Sequence, residues 1–108
     1  MLKFFLALSL ICFFWLFDSN AESVNHQVVM KSISYEPKNL KIKVGESVEW
    51  VNQSLTEHSA SSDDLKTFET GLIEPQKKSK PIQIKSAGTY QYHCSVHGKT
   101  MHATIVAE

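Results

Sequence analysis

The chain has 108 residues, with 11 lysines, no arginine and 11 acidic residues, so its formal net charge is zero. That balance excludes a basic nucleic-acid footprint and a cationic membrane-surface cluster. The length suits one domain and excludes two.

Met1-Leu2-Lys3 is a short basic start to an apolar run over residues 4–17. Asp18-Ser19-Asn20-Ala21 follows, with small residues placed for cleavage before Glu22. These are the parts of a secretory signal peptide. As a helix the run reaches only roughly 21 Å, short of the ~30 Å hydrocarbon core that a retained anchor must cross. The expectation is a leader over 1–21, a mature domain over 22–108, and a periplasmic or secreted protein without a stable membrane anchor. Cys12 leaves with the leader, so Cys94 has no partner for an intrachain disulfide. A lone thiol in an oxidising compartment is buried, paired to another chain, or a ligand.

Residues 26–34 carry Val28, Val29, Met30 and Ile33 and read as a first strand. Residues 39–44 alternate, with Leu40, Ile42 and Val44 on one face and Lys41 and Lys43 on the other. Gly45-Glu46 turns the chain into 47–52, which alternates through Val48 and Trp50. Residues 55–74 are polar and irregular, anchored by Phe68 and Leu72. Two further alternating runs, 81–85 and 89–94, are separated by Ser86-Ala87-Gly88, and 102–107 makes the last strand. No stretch of the mature chain keeps a helical period. The reading is all-β, an antiparallel sandwich or barrel of short strands. Periodicity leaves immunoglobulin-like and other Greek-key arrangements open. The expected core is Val28, Met30, Ile33, Leu40, Ile42, Val48, Trp50, Phe68, Ile82, Ile84, Tyr90, Tyr92 and Ile105.

The chemistry concentrates in Tyr92-His93-Cys94-Ser95-Val96-His97-Gly98-Lys99-Thr100-Met101-His102. A thiolate and a thioether are soft donors and imidazole is borderline, a set that suits copper cycling between Cu(I) and Cu(II). Structural zinc sites more often use two to four cysteines. A loop leaving one strand at Cys94 and rejoining another at Met101 can curl round a single ion. The second histidine must come from elsewhere, and His58, just past the strand ending at Asn52, is the candidate. His93 and His102 neighbour Cys94 and Met101, so their side chains should point to the opposite face.

With these residues in view the chain resembles the cupredoxins, in particular the plastocyanin and amicyanin branch. The resemblance spans nearly the whole mature chain. It rests on Tyr35-Glu36-Pro37, on Gly45-Glu46-Ser47-Val48-Glu49-Trp50-Val51-Asn52, on His58, and on Phe68-Glu69-Thr70-Gly71. It continues through Ala87-Gly88-Thr89-Tyr90-Gln91-Tyr92-His93-Cys94 and Met101-His102-Ala103-Thr104-Ile105-Val106. The resemblance implies a Greek-key β-sandwich and a blue, type 1 copper site. Cys94 would supply the short thiolate bond, His58 and His97 the rest of a near-trigonal plane, and Met101 a weak axial ligand. It also implies that Asn52 and Ser95 brace the two ligand loops. His97 would be the electron exit within an apolar patch that includes Leu55, Val96 and Gly98.

The implied task is one-electron transfer by a monomer, docking transiently near His97 with a redox donor and an acceptor. No enzymatic activity is expected, because the chain offers no nucleophile–base arrangement. The alternative is a carrier that delivers or sequesters copper. The chain departs from the family's pattern in four respects. Three residues separate His97 from Met101, where amicyanin-like loops have two and plastocyanin-like loops four. Val96 and Gly98 stand where prolines are common, and Ser59 and Ala103 stand where asparagine and glycine are usual.

Overall fold

The computed structural model describes residues 24–108; the expected leader and Cys12 lie outside the described residues. Eight strands are seen there: β1 (Asn25–Met30), β2 (Tyr35–Glu36), β3 (Asn39–Ile42), β4 (Ser47–Asn52), β5 (Ser61–Ser62), β6 (Ile82–Gln83), β7 (Gly88–Cys94) and β8 (Gly98–Ala107). They form two four-stranded sheets, ordered β2-β1-β4-β6 and β3-β8-β7-β5. Among the described residues no helix is long and apolar enough to cross a membrane.

The sandwich is all-β as expected, but its sheets are mixed. β1 runs parallel to β4, with Val28 opposite Trp50, and β3 runs parallel to β8, with Ile42 opposite Ala107. The other ladders are antiparallel. The parallel pairs arise because the chain changes sheet between β2 and β3 and again between β3 and β4. β3 and β4 therefore lie in opposite layers, and each runs parallel to a strand that is not its neighbour in sequence. Gly45 makes the second crossing at φ 96°, a left-handed conformation that favours glycine.

Between the sheets lies an aromatic cluster. Tyr35 and Tyr92 meet edge-on at 4.6 Å between ring centroids, and Tyr92 also packs against Trp50 at 5.5 Å and Phe68 at 5.6 Å. Edge-to-face contacts of this kind add about 0.5–1.5 kcal/mol each beyond the area they bury. Burial holds both tyrosine phenols well above their ordinary pKa, so they stay neutral. The Tyr35 hydroxyl donates to the Ser59 carbonyl, tying this core to the loop that carries His58.

Most of the expected core is buried or partly buried, but three apolar residues expected to face inward are exposed. Ile33 is exposed because β1 ends at Met30 and the chain folds back, Lys31 N–H bonding the Ser34 carbonyl at 2.8 Å. Leu72 is exposed, and its neighbour Ile73 is the buried anchor, exchanging backbone hydrogen bonds with His58. Val44, expected to share the inner face of β3, is also exposed, beyond the end of that strand.

The outer face of the first sheet contains a buried acid. Glu49 accepts hydrogen bonds from Asn25 Nδ2 at 2.9 Å and Gln27 Nε2 at 2.7 Å, and Lys78 Nζ lies 3.4 Å away. The Asn25 and Gln27 amides, with Lys78, hold its carboxyl below the ordinary glutamate pKa. The contribution is therefore present above that ordinary value and lost as pH falls through the lowered one. Glu49→Gln should be destabilised by about 1–2 kcal/mol at pH 7, with the gap to wild type closing in acid. Thermal melts of both proteins at neutral and acid pH check this.

Candidate metal centre

Two loops bring His58, Cys94 and His97 together, and the start of β8 carries Met101. The first loop follows β4, and its shape is set by Asn52, whose side chain is fully buried. Asn52 Nδ2 donates to the Thr56 and Ile73 carbonyls, both at 2.8 Å. Its Oδ1 accepts from Ser54 N–H at 2.9 Å and Ser54 Oγ at 2.7 Å. All four bonds hold the turn that delivers His58, which is itself fully buried.

The second loop joins β7 to β8. His93 pairs with His102, but Cys94 pairs with Gly98, so β8 carries an excursion over residues 99–101. Cys94 and Met101 are each the residue next to the His93–His102 pair, on the loop side, and both are fully buried. His97 precedes Gly98, whose φ of 60° lets the chain turn back into β8.

The thiol and the first imidazole face each other directly, with His58 Nδ1 3.7 Å from Cys94 Sγ. The other ring nitrogen, Nε2, lies 3.4 Å from Thr56 Oγ1, so Nδ1 is the ring nitrogen on the sulfur side. The His97 ring sits 4.9 Å from the His58 ring, centroid to centroid, and its Nε2 is buried without a protein partner. Burial first, and the neighbouring His97 second, hold His58 below its ordinary pKa, while a hydrogen bond to the Lys31 backbone opposes them. The neutral ring is the form that can coordinate a metal.

The loops are locked to one another beside the sulfur. Ser59 N–H lies 3.4 Å from Cys94 Sγ, placed to donate to the sulfur. Ser59 Oγ accepts from Ser95 N–H at 2.9 Å and lies 2.9 Å from Ser95 Oγ. Asn52 and Ser95 thus sit where the resemblance implied bracing. Thr56 and Ser59 had no such role in the sequence reading. The only signal at Ser59 was its departure from asparagine, and its contact with sulfur comes from the backbone.

A ligand set must also have the right span. Bonds of ~2.0 Å to nitrogen and ~2.3 Å to sulfur, opened between tetrahedral and trigonal angles, separate N and S by roughly 3.5–3.8 Å. The His58–Cys94 separation matches that span, and the unpartnered Nε2 of His97 marks a polar atom short of a bond. Among the described residues no three His, Cys, Asp or Glu side chains already form a closed set. The cluster is an open one, with two of its donors at coordination spacing, a third ring alongside, and a buried thioether.

Two packed four-stranded sheets with this donor cluster at the loop ends define a class, the β-sandwich built around a cysteine–histidine centre. A cupredoxin-like domain model matches residues 5–107, and the chain belongs to that family. It is 31% identical over 84 residues to amicyanin of Paracoccus denitrificans, covering 75% of this chain and 63% of that protein. The chain thus spans less than two thirds of that relative's length. Plastocyanin of Scenedesmus fuscus is 31% identical over 88 residues, covering 71% of this chain and 89% of that one. Among solved structures, a Cu-containing nitrite reductase from Thermus scotoductus superposes with a TM-score of 0.72 at 27% identity. That match covers 86% of this chain and 24% of the enzyme.

Proposed function

We propose that this chain is a blue copper protein that carries single electrons outside the cytoplasm, with one copper ion on His58, Cys94, His97 and Met101. Copper supplies the one-electron chemistry, Cu(I) to Cu(II) and back. The observation that carries this reading is the buried Cys94 sulfur, 3.7 Å from His58 Nδ1 and facing the Ser59 N–H. A hydrogen bond to sulfur stabilises the thiolate, and thiolate with two imidazoles and a thioether is the donor chemistry of an electron-transfer copper site. Membership of the family shared with amicyanin and plastocyanin supports the same reading.

The bracing supports transfer with little rearrangement. Asn52 fixes the His58 loop, and Ser59 clips it to Ser95, so neither loop need move when the charge at the centre changes. Leu55 and Val96 are exposed apolar side chains, one in each ligand loop. A small apolar face around His97 suits the brief, limited-area encounters of redox partners. Four protein donors leave no coordination position for a substrate, so the chain is read as a monomeric carrier and not as an enzyme. Removal of residues 1–21 as a leader would deliver it to the periplasm or the exterior.

Voltammetry of the copper-loaded protein tests this. The expected result is a reversible one-electron wave, with copper retained through repeated cycles beside a competing Cu(I) chelator. Copper passing to the chelator on each reduction, without fast electron exchange, would instead support delivery or sequestration.

A further inference from the structure

Side chains alternate along β7 and β8, so the residues beside the inner donors face outward. His93 and His102 are directly paired across this antiparallel ladder, while Cys94 and Met101 are buried on the other side. Side chains paired in this way start from Cβ atoms about 4.5–5.5 Å apart, within reach of one shared ion. His102 is exposed, and the His93 side chain keeps 18% of its surface.

His93 is also held in a defined orientation. Its Nδ1 lies 2.7 Å from Asp63 Oδ1. Asp63 is itself fixed, its N–H donating to the Gln91 carbonyl at 2.8 Å. Behind it, Asp64 closes a turn by accepting from the Lys66 and Thr67 amides at 2.8 and 2.9 Å. A carboxylate on Nδ1 selects the tautomer in which Nε2 carries the free lone pair, the arrangement that orients histidine ligands in metal sites.

We propose that His93 Nε2 and His102 form a second cation site on this outer face, for a divalent ion that favours imidazole, with water completing its coordination. Asp63 is the positioning residue and not a ligand. The site is separate from the inner cluster and does not depend on copper there.

Zn(II) is the probe, titrated calorimetrically into the copper-loaded protein. The expected result is one zinc per chain with copper retained, and the His93 and His102 ring resonances of the Cu(I) form shifting together. His102→Gln, at an exposed position that the fold tolerates, should weaken zinc binding at least tenfold. Asp63→Asn should weaken it by about tenfold, as loss of an orienting partner does at other metal sites. Circular dichroism checks that each variant is folded. No zinc uptake, uptake only with loss of copper, or equal affinity in His102→Gln would overturn the proposal.

Discussion

Cys94→Ser is expected to leave a folded protein without intense visible absorption in its Cu(II) form. The colour of such a site comes from the copper–thiolate bond, and serine has a hard, protonated oxygen where the soft thiolate stood. Copper affinity should fall by more than the ~10–100-fold that loss of an outer hydrogen-bonding partner costs, because a ligand itself is removed. The fold should survive, since serine is smaller than cysteine and the Ser59–Ser95 clip does not involve Sγ. Met101→Leu provides the contrast. It keeps a similar apolar volume and the thiolate, so the colour should persist while the potential moves. Visible and electron paramagnetic spectra of the three proteins, with voltammetry of wild type and Met101→Leu, check both statements. An unchanged spectrum in Cys94→Ser would remove the basis for the copper reading.

Asn52→Ala should be the most damaging change away from the donors. It removes four hydrogen bonds from a fully buried site, leaving the Thr56 and Ile73 carbonyls and the Ser54 amide and hydroxyl each short of one partner. At about 1 kcal/mol for each deserted group, offset in part by water entering near Thr56, the loss should be about 3 kcal/mol. That is a large share of the total stability of a domain of this size. The same change frees the turn that carries His58, so copper affinity should drop together with the denaturation midpoint. Urea titrations of apo and loaded protein separate the two effects. If the apo protein is unaffected, Asn52 is not the brace its contacts describe.

What could be read from the residues follows from how local each feature is. Val48 and Trp50, or Tyr90 and Tyr92, mark an inward face by their spacing alone, and the strands follow. Strand partners are another matter. Nothing in residues 25–30 says that they lie parallel to 47–52, because that pairing is settled by which sheet the intervening chain enters. The Leu72 and Ile73 pair shows the same limit at small scale. Both are apolar, and only the bridge to His58 decides which one turns inward. At the candidate metal centre the proposed donors were legible as a chemical set, and the loop 94–101 as a local motif. His58 was only a candidate from its place after the strand ending at Asn52, and the family resemblance strengthened it, since its position beside Cys94 depends on the whole sandwich. The Ser59 amide on the sulfur was illegible, because every residue but proline carries that group.

The place of β8 in its sheet has a consequence for how the molecule comes to exist. β8 lies between β3 and β7, and β3 lines up residues 39–42 with 104–107. The second layer therefore cannot close until β8, the last of the eight described strands in chain order, is available to pair. Folds dominated by such distant pairings form in milliseconds to seconds, slower than helical bundles. Until then the apolar faces of β1 and β4 wait without their cover, the stage at which a folding chain is most prone to aggregate. Cys94, His97 and Met101 arrive in that same final segment. The candidate donor set is therefore complete only once β8 has docked between β3 and β7.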